Sequence, residues 1–277
     1  MLPGGQRSDS RSATLDPAAF ETFRRWMYEV SGVAIAEAKV EMVRSRLLQR
    51  LHELGLPNFD AYKRLLSSAS GLDERRRFVD ALTTNKTFFF REMEHFDFLE
   101  QELLPAHEND RFNLWCAGCS SGEEPYSFAI AFARAQRRKL YPARILATDI
   151  SGRVLEKAKR GRYEEESLAE LPFQIRQSHF DTKNEDGKLY FDVKPALRSM
   201  VHFARLNLME EWPMRGPFHL IFCRNVMIYF DLSTRERLIN RFWELLIPGG
   251  HLFIGHAETL HGIQHRYHYI KPAIYRK

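Results

Sequence analysis

Residues 112–132, FNLWCAGCSSGEEPYSFAIAF, constrain the fold of this 277-residue chain more than any other stretch. They read as a strand, a tight turn of small residues and the opening of a helix. Phe112, Leu114 and Cys116 alternate with Asn113 and Trp115, which suits a strand covered on both faces. Gly118, Ser120, Ser121 and Gly122 let the backbone come close to a ligand, and a helical apolar pattern starts near Pro125. Proline early in a helix costs little, because its missing N–H would have no partner there. About 26 residues after Glu123 a second strand, ARILATDIS, brings in Asp149. An acid at that place can accept hydrogen bonds from both hydroxyls of a ribose.

Turns with two glycines are common, so the paired acid carries most of the signal. The turn has no Gly-Lys-Ser/Thr of a triphosphate loop and lacks strict G-x-G-x-x-G spacing. Glu123 also disfavours a pyrophosphate, since a carboxylate at the helix N-terminus takes the place the phosphate needs. A ligand with ribose hydroxyls and a positive charge fits better, and S-adenosylmethionine has both. A plainer alternative stays open on these residues: Glu123 complements the helix dipole and Asp149 caps the helix beginning near Gly152.

Composition bounds the class. Hydrophobic residues at 44% and charged residues at 28% describe a soluble globular protein. No apolar run reaches the ~18 residues of a membrane span, and MLPGGQRSDSRS lacks the apolar core of a signal peptide. Residues 1–14 are expected to form a disordered tail. Three cysteines point to a reducing cytoplasm. Cys116 and Cys119 form a C-x-x-C, but no second Cys or His pair has zinc spacing, so no metal is expected. A net charge of +5 favours an acidic partner without choosing among nucleic acid, membrane surface and protein.

Along the chain, Asp16-Pro17 opens a helix with Phe20, Phe23, Trp26 and Met27 on one side. Ala36 to Leu54 reads as a second helix, closed by Gly55, and Asn58 to Ser67 as a third. Lys39, Arg46 and Arg50 fall in one narrow stripe of the second helix, which could meet an acidic partner helix or be a solvated face. Residues 15–72 are read as an all-helical domain, and 73–91 as a linker helix with a Phe-rich segment, TTNKTFFFRE. Phe88, Phe89 and Phe90 cannot all leave water on one helix face. Arg91 after them is placed to hold a carboxylate. Residues 92–277 continue the βα rhythm, interrupted at about 162–199 by a small antiparallel element containing KLYFDV. Then come a buried strand at Phe218 to Cys223, a helix at Ser233 to Leu246 with a Ser/Thr cap, a turn at Pro248-Gly-Gly, a strand at His251 to Gly255 and a last antiparallel strand.

In order and approximate spacing, TNKTFFFRE, AGCSSGEEPYS, ATDIS, RLNL, PFHLIFCRNVMIYF and PGGHLFIGHAE resemble the chemotaxis receptor methyltransferases, the CheR family. The resemblance implies an α/β, Rossmann-like S-adenosylmethionine-dependent methyltransferase fold with a small antiparallel β-subdomain, preceded by an all-α N-terminal domain. It implies methyl transfer to glutamate side chains of chemoreceptor cytoplasmic domains, leaving S-adenosylhomocysteine. Cofactor contacts would be Asn85, Thr87, Arg91, Glu123, Asp149, Asn207, Leu208, Arg224 and Asn225, with Arg91 and Tyr229 at the methyl-transfer centre. In this picture Lys39, Arg46 and Arg50 contact the receptor. Relatives that bind a receptor's C-terminal tether peptide carry Arg-Gly and a Gly-rich loop in the β-subdomain, where this chain has HFDTKNEDGKLYF, so tether binding is not expected.

A glutamate carboxylate is ionised at neutral pH, with an ordinary pKa of ~4.3, so the reaction needs no general base. The lack of an obvious His-Asp pair fits that chemistry. The competing readings are a non-catalytic S-adenosylmethionine-binding signalling module and a nucleic-acid methyltransferase. The second would carry an Asn/Asp-Pro-Pro-Tyr motif for a flipped base, which is absent. The expectation is a cytoplasmic, monomeric enzyme without nucleic-acid binding or membrane insertion.

Overall fold

The computed structural model describes residues 13–107, 111–136 and 142–277, so the expected tail lies almost wholly outside the described residues. The chain divides after Thr84 into two units.

In the first unit, the Asp16 carboxylate accepts the Ala19 N–H at 2.8 Å and opens α1 (Pro17–Ser31), which ends on Gly32 at φ 72°. The second helix is shorter than its apolar pattern. Glu37–Lys39 forms a 3₁₀ turn, a common helix entry, before α2 (Val40–Leu54). Asn58 caps α3 (Phe59–Ser67), and α4 follows at Leu72–Leu82. The Phe23 ring lies 6.2, 6.0 and 5.8 Å from those of Phe59, Tyr62 and Phe78, tying α1, α3 and α4 into one aromatic core. Burying such a side chain is worth ~1.5–3 kcal/mol. The linker reading of residues 73–82 is therefore corrected: Phe78, Val79 and Leu82 are buried, and α4 belongs to this unit.

The second unit begins with α5 (Glu94–Phe98) and α6 (Leu104–Ala106), joined by a widened π turn at Leu99–Leu103. Then β1 (Phe112–Ala117), α7 (Glu123–Gln136), β2 (Ala143–Asp149) and α8 (Gly152–Arg160) supply the expected strand-turn-helix-strand unit. A small sheet follows from β3 (Arg162–Glu164), α9 (Phe173–His179), β4 (Phe180–Glu185) and β5 (Lys188–Val193), in the antiparallel order β3-β5-β4. After α10 (Pro195–Arg198) the chain makes β6 (Val201–Arg205), β7 (Phe218–Phe222), α11 (Leu232–Leu245), β8 (Leu246–Phe253), β9 (His268–Lys271) and β10 (Ile274–Arg276).

The large sheet runs β6-β2-β1-β7-β8-β10-β9, with the first five strands parallel, β10 antiparallel to β8 and β9 antiparallel to β10. Its order reverses between β1 and β7, so the crevice beyond the carboxyl ends of these strands is where an open α/β sheet binds ligands. Phe128 and Phe132 of α7 fix the sheet from one side, with ring centroids 4.6 Å from Phe222 and 5.3 Å from Phe112. Trp115 is buried against the other side, its indole N–H donating to Thr148 Oγ1 at 2.9 Å.

Three local expectations are corrected. The cap of α11 is Asp231, whose carboxylate accepts the Thr234 N–H at 2.8 Å; its charge and reach win over the neighbouring hydroxyls. Pro248-Gly-Gly lies within β8, where Gly249 at φ 78° absorbs an irregularity in the pairing with β7. The final segment is a hairpin of two strands.

Candidate active site

The turn after β1 takes its shape from three residues in the left-handed region: Gly118 at φ 85°, Ser120 at φ 48° and Gly122 at φ 96°. A Cβ on Gly118 would sit 2.4 Å from Val226 Cγ2, so glycine is required where this turn meets the loop after β7. The Ser120 N–H donates to Asp149 Oδ2 at 2.8 Å, and the Ser151 N–H to Asp149 Oδ1 at 2.9 Å. Asp149 thus ties the turn after β1 to the segment leading into α8, whose N-cap is Ser151 with no side-chain cap bond, so Asp149 is not the helix cap of the plainer alternative. A carboxylate has about four acceptor positions, so these bonds leave capacity for ribose hydroxyls. The Ser120 hydroxyl donates to the Asn85 carbonyl at 2.9 Å, which stitches the Phe-rich segment to the turn. Leu206 N–H donates to the Asp149 carbonyl at 3.0 Å, placing Asn207 and Leu208 just past the same strand end. Asn207 itself closes a turn, with Oδ1 accepting Met209 N–H and Nδ2 donating to Glu210.

Glu123 is buried at the start of α7, its carboxylate taking the Ser121 hydroxyl at 2.7 Å with the Lys157 ammonium 3.8 Å away. Burial raises its pKa despite those partners. In the Phe-rich segment Phe89 and Phe90 are buried while Phe88 stays partly exposed beneath the Arg91 guanidinium, 5.7 Å from the ring centroid. Arg91 also donates to the Lys86 carbonyl. Thr87 Oγ1 and Asn225 Oδ1 are buried with no hydrogen-bond partner among the described residues. Both belong to the residues expected to hold S-adenosylmethionine, and unpaired buried acceptors are what a polar ligand satisfies.

Arg224 lies behind the Arg91 turn. Its side chain is fully buried, with the guanidinium 3.2 Å from Glu92 Oε2, 3.8 Å from Glu124 Oε1 and 4.8 Å from the Phe222 ring centroid. It donates to the Arg91 carbonyl. The side chain therefore braces the Arg91 turn between two acids and an aromatic face, while its Nε and Nη2 have no hydrogen-bond partner among the described residues. The Glu124 carboxyl is pushed up to about 7, chiefly by burial, with Arg224 and Arg91 pulling it back down.

Two residues of the expected receptor stripe are engaged within the first unit. Arg46 donates to the carbonyls of Ala81, Leu82 and Thr83 at the end of α4, and Arg50 makes a two-pronged pair with Glu74 at 2.9 and 2.7 Å. The Tyr62 hydroxyl donates to the same Glu74. Unsatisfied carbonyls at a helix C-terminus attract cations, and Arg46 meets those of α4. Of the three residues only Lys39 is exposed.

Sequence reasoning missed the layer behind Arg91. Glu92, His95 and His256 bring potential metal-ligating atoms within 4.8 Å of one another. The Arg224 guanidinium and the His256 N–H, 3.1 Å away, already occupy Glu92 Oε2. A dication ~5 Å from a guanidinium is repelled by roughly 7 kcal/mol at an effective dielectric of ~20, so the cluster reads as an ion-pair network. His95 stacks on Phe253 at 5.1 Å, and its pKa is lowered to about 3, first by burial and then by Arg224. A histidine kept neutral in the fold contributes stability above its unfolded pKa of ~6.5. That contribution is lost as pH falls toward 3. His95→Leu should therefore remove roughly 1.4 kcal/mol of acid destabilisation per pH unit below 6.5. Urea unfolding at pH 7 and pH 4.5 checks this; equal losses in wild type and variant would exclude it.

Cys116, Cys119 and Cys223 are buried, unpaired thiols whose pKa values burial raises. A cleft of about 420 Å³ beside β6, lined in part by Tyr126, Arg198 and Phe203, contains none of the expected site residues.

A sheet with this strand order, a glycine turn meeting an acid at the next strand end and a small antiparallel insert define the S-adenosylmethionine-dependent methyltransferase class. Residues 85–275 match the family described as "CheR methyltransferase, SAM binding domain", and residues 18–83 match "CheR methyltransferase, all-alpha domain". The chain belongs to the CheR methyltransferase family. It is 40% identical to the chemotaxis protein methyltransferase of Borreliella burgdorferi over 91% of each chain. It is 40% identical to that of Klebsiella aerogenes over 94% of this chain and 90% of that one. Against the Escherichia coli protein the identity is 38%, covering 96% and 94%.

Proposed function

We propose that this protein transfers a methyl group from S-adenosylmethionine to glutamate carboxylates in the cytoplasmic domains of chemoreceptors, giving methyl esters. The observation that carries this reading is the meeting of Asp149 with the Ser120 turn and, through Asn85, with the segment bearing Arg91. Bound S-adenosylmethionine supplies an electrophilic methyl group on a sulfonium. The protein needs only to orient and shelter the nucleophile. Asp149 and Glu123 hold the ribose end, and Thr87 Oγ1 and Asn225 Oδ1 give buried acceptors for the remaining polar groups. Asn207 and Leu208 flank the adenine. Arg91, braced through its carbonyl by Arg224, would direct the carboxylate, and the Tyr229 hydroxyl would hydrogen-bond to that carboxylate. The Arg224 side chain is not assigned to the cofactor. We place the enzyme in the cytoplasm with reduced cysteines, acting as a monomer without tether-peptide binding. Among the described residues no helix is long and apolar enough to cross a membrane.

The test is incubation with radiolabelled S-adenosylmethionine and purified receptor cytoplasmic domains, followed by alkali. Alkali-labile label is expected; alkali-stable label, or none, overturns the glutamate assignment. In the same assay Tyr229→Phe should lower kcat by about two- to tenfold, the value of one hydrogen bond, with little change in KM. Wild-type turnover would leave the hydroxyl without a role.

A further inference from the structure

Glu258, the last residue of PGGHLFIGHAE, lies just beyond the end of β8 and folds back toward the loop after β7. Its Oε2 accepts the N–H groups of Asn225 at 2.9 Å and Gly255 at 2.6 Å, and its Oε1 accepts that of Ile228 at 3.2 Å. The Glu258 N–H closes the turn onto the Gly255 carbonyl at 2.8 Å. One carboxylate therefore gathers amides from two separate loops.

The loop it holds does not rest there unaided. Asn225 has φ 56°, a left-handed conformation costing a non-glycine residue ~1–3 kcal/mol unless its surroundings enforce it. On one side Val226 presses against Gly118, and on the other a Cβ on Gly255 would come within 2.6 Å of Asn225 Nδ2. Tyr229 follows Ile228 directly, its N–H returning to the Val226 carbonyl at 3.2 Å. The position of the Tyr229 ring thus depends on the two loop amides that Glu258 fixes.

We infer that Glu258 is a positioning residue for methyl transfer, acting through the backbone of Asn225 and Ile228 to hold Asn225 Oδ1 and the Tyr229 hydroxyl in place. This rests on the function proposed above. Hydrogen bonds to a carboxylate are roughly twice as strong as neutral ones, and a shift of ~1 Å in a catalytic group can cost roughly 10²-fold in rate. Glutamine keeps the shape and one acceptor oxygen but turns an NH₂ group toward a backbone N–H.

The experiment compares wild type, Glu258→Gln and Glu258→Ala by kcat and KM on receptor domains at saturating cofactor. Amide hydrogen exchange across residues 224–229 and in β1 and β7 is measured alongside. Alanine should lower kcat by roughly 10²-fold and glutamine by roughly tenfold, with receptor KM nearly unchanged. In both variants the Asn225 and Ile228 amides should exchange faster while those of β1 and β7 keep their protection. Wild-type kcat in the alanine variant overturns the proposal, as does faster exchange spread through the whole second unit of both variants. If the wild type itself methylates no receptor, the functional reading falls. The exchange of the Asn225 and Ile228 amides then decides alone whether Glu258 holds the loop.

Discussion

Replacing Arg224 with alanine should destabilise the second unit by about 3–5 kcal/mol, the range for removing one partner of a buried ion pair. The guanidinium lies between Glu92 and Glu124, and without it both carboxylates remain in a site with little water. The sign of the pH effect follows from Glu124. Its folded pKa, about 7, is above the unfolded value of 4.5, so protonation favours the fold. The variant's deficit should therefore be largest above pH 7, where wild-type Glu124 is ionised beside Arg224, and smaller below it, where Glu124 is protonated in both folded forms. Urea unfolding at pH 8 and pH 5.5 measures it. Wild-type stability at pH 8 would return the Arg224 side chain to the cofactor-binding role that the resemblance implied.

Asp149→Ala should weaken S-adenosylmethionine binding by roughly tenfold to 150-fold, corresponding to ~1.5–3 kcal/mol for hydrogen bonds to a charged group. The same change strips the acceptor from the Ser120 and Ser151 amides, so part of the loss comes from a loosened turn. Asp149→Asn helps separate the two causes, because it keeps one acceptor oxygen and the side-chain volume. Calorimetry should rank wild type above asparagine and asparagine above alanine. Unchanged affinity in the alanine variant would remove the ribose assignment.

The parts legible in the sequence are those where local chemistry leaves a local mark. Asp16-Pro17, Asn58 and Gly55 mark helix ends because caps need those side chains or a left-handed φ at fixed positions. The turn from Gly118 to Gly122 is visible for the same reason. What the pattern could not give is the identity of the neighbour. A helical wheel groups Lys39, Arg46 and Arg50, but only the path of α4 shows that Arg46 and Arg50 face its carbonyls and Glu74. Likewise CRN after β7 marks a loop, yet the burial of Arg224 depends on Glu92 and Glu124, which are remote in sequence. The charged look of residues 73–82 hid the three buried apolar side chains that bind α4 to its unit. Glu258 gives no sequence signal of its own, since its partners are main-chain amides and any residue type can supply those.

The fit of Gly118 against Val226, and of Gly255 against Asn225, has an evolutionary consequence. Residues 224–229 cannot drift one at a time, because a bulkier residue at 226 or a side chain at 118 or 255 collides with a partner that has not changed. Substitutions there must arrive in compatible pairs, and most single steps pass through an overpacked intermediate. Across related chains the two glycines and this loop should therefore vary together as one heritable block, while the outer faces of α2 and α11 change freely around it.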